Sequence, residues 1–254
     1  MKNLFSLQGR TAIVTGGSRG IGRMIAEGFL TQGARVYITA RKAEACQKTA
    51  KELSILGPCV ALPIDISTVE SARTLATEYA KHEGSLDILV NNAGATWGED
   101  FDTFPESGWD KVVDLNMKAP FFLTQALADL LRAAAKQQPA KVINIASVDG
   151  ISVNKLETYS YAASKAGVIH LTQRMAMRLI EDNIVVSAIA PGHFASDMNR
   201  AARDHGDEVS ASIPARRIGG AEDMAGAAIF LASRAGDYVV GSTLIVDGGL
   251  NFSR

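Results

Sequence analysis

The stretch "AIVTGGSRGIGRMIAEGF" (residues 12–29) decides the fold. Its first four residues are apolar enough for a buried strand, and its last eight begin a helical pattern. Between them stand Gly16, Gly17, Gly20 and Gly22, with the pair Ser18-Arg19 in their midst. Glycine permits positive φ and lets a ligand approach the backbone closely. A helix start offers unpaired N–H groups and the positive end of the helix dipole, which together suit a phosphate. The G-x-x-x-G-x-G spacing matches neither the common G-x-G-x-x-G fingerprint nor a P-loop, which ends in Gly-Lys-Ser/Thr. On glycine count alone a ligand-free tight turn remains open. The strand before and the helix after favour a phosphate cradle.

The same alternation runs outward through the chain. Apolar runs at 11–15, 35–39, 59–64, 86–90, 141–145, 184–190 and 243–247 are rich in Val and Ile and do not alternate with polar residues. Strands buried on both faces read this way. Helical patterns fall between them, at about 20–31, 43–56, 68–82, 108–135, 157–181 and 221–232. Strand–helix alternation implies an α/β fold, a doubly wound parallel sheet with helices on both faces. No linker or repeat divides the 254 residues, so residues 1–254 read as one domain. The stretch 191–220 breaks the rhythm, and long irregular insertions are often lids or binding loops. We expect a substrate loop at about 193–215.

Bulk properties exclude several classes. A formal net charge of −1 argues against a nucleic-acid binder, which needs a basic face. The cysteines, Cys46 and Cys59, form no C-x-x-C pair. His82, His170, His193 and His205 lack ligand spacing, so no protein-held metal is expected. The N-terminus lacks the pattern of a signal peptide, and no apolar run reaches the roughly 18 residues that span a bilayer. The expectation is a cytoplasmic protein.

Candidate chemistry comes from four places. After the second strand, "VYITARK" places Arg41 and Lys42 where NAD-selective enzymes tend to carry a carboxylate for the ribose 2′-hydroxyl. A guanidinium grips a 2′-phosphate with paired hydrogen bonds, and Arg19 offers a second cation. These charges also read as solvated surface residues, but the missing acid favours NADP(H). In "YSYAASKAGVIH" (159–170), Tyr161 and Lys165 share one helix face. A neighbouring ammonium is expected to lower the phenol from its usual value near 10 and ready it for proton transfer. Tyr159 has Ala163 four residues on and lacks such a lysine. Ser147, just past "KVINI", falls at the carboxyl edge of the sheet, where such folds bind ligands; a turn cap is its plainer reading. No His/Asp pair in plausible order supports a serine hydrolase.

Taken together, "TGGSRGIG" (15–22), "DI" (65–66), "NNAG" (91–94), Asn116, Ser147, "YAASK" (161–165), "PG" (191–192) and "VDGG" (246–249) resemble the short-chain dehydrogenase/reductase family over nearly the whole chain. The resemblance implies a Rossmann-type, seven-stranded sheet in the order 3-2-1-4-5-6-7. It implies Tyr161 as general acid/base and Ser147 as the group orienting the substrate oxygen. Lys165 would hold the nicotinamide ribose and lower the tyrosine, and Asn116 would anchor a proton-relaying water. Gly16, Ser18, Arg19, Gly20 and Ile21 would line the diphosphate, with Arg41 at the 2′-phosphate and Asp65-Ile66 beside the adenine. Asn92, Ala93 and Gly94 would run along the cofactor, with Pro191, Gly192 and Ser196 near the nicotinamide. Ser196 stands where the family often has Thr. Ser147 and Tyr161 are 14 apart, one more than the commonest family spacing.

Within the family, residues 91–116 and 121–135 are most similar to 3-oxoacyl-carrier-protein reductases, including the branch linked to rhamnolipid precursors. That implies NADPH-dependent reduction of a 3-oxoacyl thioester, with an acyl-carrier protein as a partner docked on basic residues such as Arg132, Lys136, Arg200 and Arg203. It also implies a homotetramer built on the edge strand and the long helices. A sugar or polyol dehydrogenase or a broad carbonyl reductase would use the same machinery, and His193, Phe194 and Met198 in the loop would decide between them. A catalytically silent NADP-binding regulator is a third class, opposed by the intact Asn116, Ser147, Tyr161 and Lys165.

Overall fold

Successive strand side chains point to opposite faces of a sheet, and in strand β1 (Thr11–Thr15) both directions are apolar. Ala12 and Val14 face one core, and Ile13 faces a second. The same division holds along β2 (Arg35–Thr39), where Val36 and Ile38 go one way and Tyr37 the other. A strand buried on both faces needs a helical layer on each side. The computed structural model, which describes residues 2–196 and 198–253, shows those layers. The side chains of Arg200 and Ala201 lie outside that description.

Strands β3 (Cys59–Leu62), β4 (Ile88–Asn91), β5 (Ala140–Ile145), β6 (Ile184–Pro191) and β7 (Thr243–Val246) complete one sheet in the order β3-β2-β1-β4-β5-β6-β7. Every neighbouring pair is parallel. Helices α1 (Gly20–Thr31) and α2 (Ala43–Leu53) cover one face through Ile25, Phe29, Cys46 and Leu53. Helix α3 (Val69–Ala80) covers the other through Leu75 and Tyr79. The strand order reverses between β1 and β4, and the crevice at the carboxyl ends of such strands is where ligands bind.

Residues expected as one helix at 108–135 are divided. Helix α4 (Glu106–Val113) runs into a π-turn at Asp114–Lys118, then α5 (Ala119–Ala126), and α6 (Ala128–Ala135) starts beyond Leu127. Pro120 has no N–H to give the carbonyl of Asn116, four residues back, so regular α-helical pairing fails there. The amide of Ala119 instead bonds Asp114, five residues back. Pro63 likewise ends β3 two residues before the apolar run does. The long helix α7 (Tyr159–Leu179) returns beside β6. The stretch 191–220 holds two short helices, α8 (Arg200–Asp204) and α9 (Gly206–Ser212). Its ends are stapled together by a Phe194–Gly219 bridge and by the Gly219 amide donating to the His193 carbonyl at 2.9 Å. Helix α10 (Ala221–Ala232) then packs against α1, where a Cβ on Gly28 would lie 2.6 Å from that of Ala225. No helix among the described residues is long and apolar enough to cross a membrane.

Candidate active site

The glycine turn is a cradle that side chains would fill. Gly16 and Gly20 have φ of +65° and +53°, in the left-handed region that glycine adopts without strain. A Cβ on Gly22 would strike the Asn92 amide nitrogen and come within 2.5 Å of the Gly16 carbonyl. One on Gly17 would lie 2.6 Å from the Ile38 side chain. Helix α1 opens at this turn with no acidic side chain in its first turn, leaving its N-terminal dipole uncompensated there. The geometry fits an anionic diphosphate.

The "NNAG" segment is fastened to this turn. The Thr15 hydroxyl accepts from the amides of Asn92 (2.9 Å) and Ala93 (3.0 Å) and donates to the Val90 carbonyl (3.1 Å). Asn92 in return donates its side-chain amide to the Thr15 carbonyl at 2.7 Å. Beneath, a buried chain runs from Thr124 through Asn91 and Asn144 to Thr172, tying β4 and β5 to α5 and α7. This chain sets the register of α7, which carries Tyr161 and Lys165.

Of the expected site residues, all but Asn116 line one cleft of about 730 Å³. Within it, Arg41-Lys42 and Asp65-Ile66 follow β2 and β3 on one side of β1, whereas Ser147 follows β5 and Tyr161 and Lys165 stand on α7 beside β6, on the other. Pro191-Gly192 is held in place by "VDGG": the Gly192 amide donates to the Val246 carbonyl at 2.9 Å, and a Cβ on Gly192 would lie 2.7 Å from that of Asp247.

Against this geometry, the comparisons are decisive. The family model for short chain dehydrogenase matches residues 10–207. The chain is 48% identical to the rhamnolipids biosynthesis 3-oxoacyl-[acyl-carrier-protein] reductase of Pseudomonas aeruginosa, over 99% of this chain and all of that one. It belongs to the short-chain dehydrogenase family. A solved Pseudomonas aeruginosa RhlG/NADP active-site complex superposes with a TM-score of 0.95 at 48% identity, covering 99% of this chain and 100% of that one. The 5-keto-D-gluconate 5-reductase of Escherichia coli is 36% identical over 98% of each chain.

In this short-chain dehydrogenase, Asn116 stands behind the cleft wall. Its side chain accepts from the Ala95 amide (2.8 Å), donates to the Ala95 carbonyl (2.9 Å) and donates to Ser164 (3.0 Å). The Ser147 hydroxyl accepts from the Asp149 amide at 3.1 Å. Ser147 also lies in the same cleft as Tyr161, and its hydroxyl favours the phenolate. The expected lowering of Tyr161 by Lys165 does not occur. Burial pushes the phenol up to about 12, Ser147 draws it back, and the charge of Asp149 adds to the rise. The Lys165 ammonium lies 5.7 Å over the ring centre and donates to the Ile145 carbonyl at 2.7 Å, so it does not meet the phenol oxygen. Burial lowers Lys165 itself to about 8.

Thr15 and Ser164 sit inside the quoted motifs without a role that sequence assigns them, and Asp149 lies outside every motif, because a lone Asp carries no spacing signal. Among the basic residues expected to dock a carrier, Arg132 already pairs with Asp129 and Asp182, and Arg203 with Asp204. Lys136 is exposed, and the Arg200 side chain is outside the described residues.

Proposed function

We propose that the protein is an NADPH-dependent ketone reductase whose substrate is a 3-oxoacyl thioester. The observation that carries this reading is that Ser147, Tyr161 and the buried Lys165 line one cleft together, with Lys165 anchored on the Ile145 carbonyl at 2.7 Å. When bound, NADPH supplies the hydride that adds to the carbonyl carbon. Ser147 orients the carbonyl oxygen, and Tyr161, held protonated by burial, gives that oxygen its phenolic proton. Lys165 keeps further donor hydrogens beyond the one on Ile145, and these hold the nicotinamide ribose. The glycine cradle at Gly16, Ser18, Gly20 and Ile21 binds the diphosphate. Arg41 and Arg19 read the 2′-phosphate, while Asp65 and Ile66 flank the adenine. Asn92 to Gly94, Pro191, Gly192 and Ser196 bed the nicotinamide half. Asn116 acts through Ala95 and Ser164, and the segment 193–215 covers the substrate within a single catalytic domain.

The identity with the Pseudomonas aeruginosa reductase supports the acyl substrate and, with it, an acyl-carrier protein as donor of the thioester. A homotetramer in the cytoplasm completes the reading. The Escherichia coli relative supports a second reading, reduction of a keto sugar acid. Steady-state assays of NADPH oxidation with 3-oxoacyl thioesters, in the wild type and in Tyr161→Phe, test the proposal. Turnover falls by roughly 10²-fold or more in the variant if Tyr161 is the acid; unchanged turnover would refute the assignment.

A further inference from the structure

Two carboxylates line the cleft among the described residues, and they face different company. Asp65 shares its end with Arg19, Arg41 and Lys42. Asp149 is at the reaction end, two residues past Ser147, and its charge is felt at Tyr161. The Asp149 carboxylate is held in place: its Oδ1 accepts from the Asn154 side-chain amide at 2.8 Å, and Asn154 accepts from the Leu156 amide at 2.7 Å. Among the described residues, the other titratable groups lining that end are Tyr161, Lys165 and His193. Lys165 gives one of its hydrogens to the Ile145 carbonyl, and His193 meets Asn199 through its Nδ1 at 2.9 Å. Leu156 and Met198, 68% and 45% exposed, bring apolar surface to the same cleft from two separate segments.

We propose that Asp149 is a specificity residue. Its fixed carboxylate beside Ser147 and Tyr161 disfavours ketones that carry an anionic group near the carbonyl, and it admits uncharged ketones whose apolar tail lies on Leu156 and Met198. The inference rests on the ketone-reductase reading above. It also separates the two substrate classes, because a keto sugar acid is an anion and a 3-oxoacyl thioester is neutral around its carbonyl.

The test uses one ketone in two charge states, ethyl 4-oxopentanoate and 4-oxopentanoate, with NADPH. The wild type favours the ester in kcat/KM. Asp149→Asn, whose amide oxygen still accepts from Asn154, lowers the ester-to-acid ratio on the order of tenfold, and Asp149→Glu retains it. Asp149→Ser gives the same loss of ratio should the Asn variant fold poorly. Binding is read separately: the Kd of 4-oxopentanoate for the NADPH-loaded protein, from nicotinamide fluorescence, falls by a similar factor in Asp149→Asn. An unchanged ratio and Kd in a folded, charge-free variant overturns the role of Asp149. Failure of the wild type to reduce any ketone overturns the reductase reading instead, and the binding measurement still decides whether Asp149 repels the anion.

Discussion

The ammonium of Lys165 stands over the ring of Tyr161, 5.7 Å from its centre, and its 2.7 Å hydrogen bond goes to the carbonyl of Ile145. A charge held this deep is costly, since Lys165 is 5% exposed and burial is the cause of its lowered pKa. Burying this ammonium therefore comes at some expense of stability, as charged groups at functional sites often do.

A pH dependence follows. The native protein releases the Lys165 proton near pH 8, whereas the unfolded chain holds it to about 10.5. Between those values the unfolded state binds more protons, so stability rises with pH. Relative to a Lys165→Met variant, the wild type should gain up to about 3 kcal/mol between pH 7.5 and 10.5. Urea unfolding of both proteins across that range checks it. A stability difference that stays flat with pH would show that Lys165 is not buried as a charge.

Cofactor choice should turn on Arg41. It follows β2 and lines the cleft with Arg19 and Lys42. A charge-assisted guanidinium–phosphate contact contributes roughly 1.5–3 kcal/mol. Arg41→Asp should therefore weaken NADPH binding by about 10- to 100-fold and bring NADH to equal or better affinity. Titration of both nucleotides by fluorescence reads this, and equal affinity of the wild type for the two would remove Arg41 from that role.

The sheet was legible because each strand is apolar on both faces, a pattern that β1 and β2 display in five residues each. Helices α1 and α10 begin and end where the pattern placed them. The break of 108–135 was harder to see. One proline inside an apolar periodic run reads as a tolerated irregularity, and only the backbone pairing reveals that the helix is re-registered at Asn116. Tyr161, Lys165 and Ser147 were legible through motif and order. The protonation of Tyr161 was not, because it depends on where the Lys165 ammonium points and on the charge of Asp149. Helical spacing gives the face a side chain shares but not the atom it meets.

The glycine cradle should resist even one methyl group. In Gly22→Ala the new Cβ meets the Asn92 amide nitrogen and the Gly16 carbonyl together. Asn92 is held by its 2.7 Å bond to Thr15, so neither neighbour yields freely. The variant should lose about 1–3 kcal/mol of stability and bind nucleotide more weakly. Thermal melting with and without NADPH separates the effects, and a melting temperature equal to wild type would contradict the packing at Gly22.

Asn116 offers a sharper division between positioning and chemistry. Its side chain meets both the amide and the carbonyl of Ala95, and it reaches Ser164 as well, while lining none of the cleft. Asn116→Ala removes the acceptor of the part-buried Ala95 amide, which costs up to about 1–3 kcal/mol for that group, and frees the segment after "NNAG" to shift. A residue acting through Ala95 should move KM for nucleotide and the melting temperature together. It should leave the pH at which Tyr161 titrates in place, because Asn116 is not among the groups that shift it. Asn116→Asp keeps an acceptor for the Ala95 amide but loses the donor to both the Ala95 carbonyl and Ser164, so it should also be less stable than the wild type. A displaced pH profile with an unaltered melting temperature would instead place Asn116 in the proton path itself.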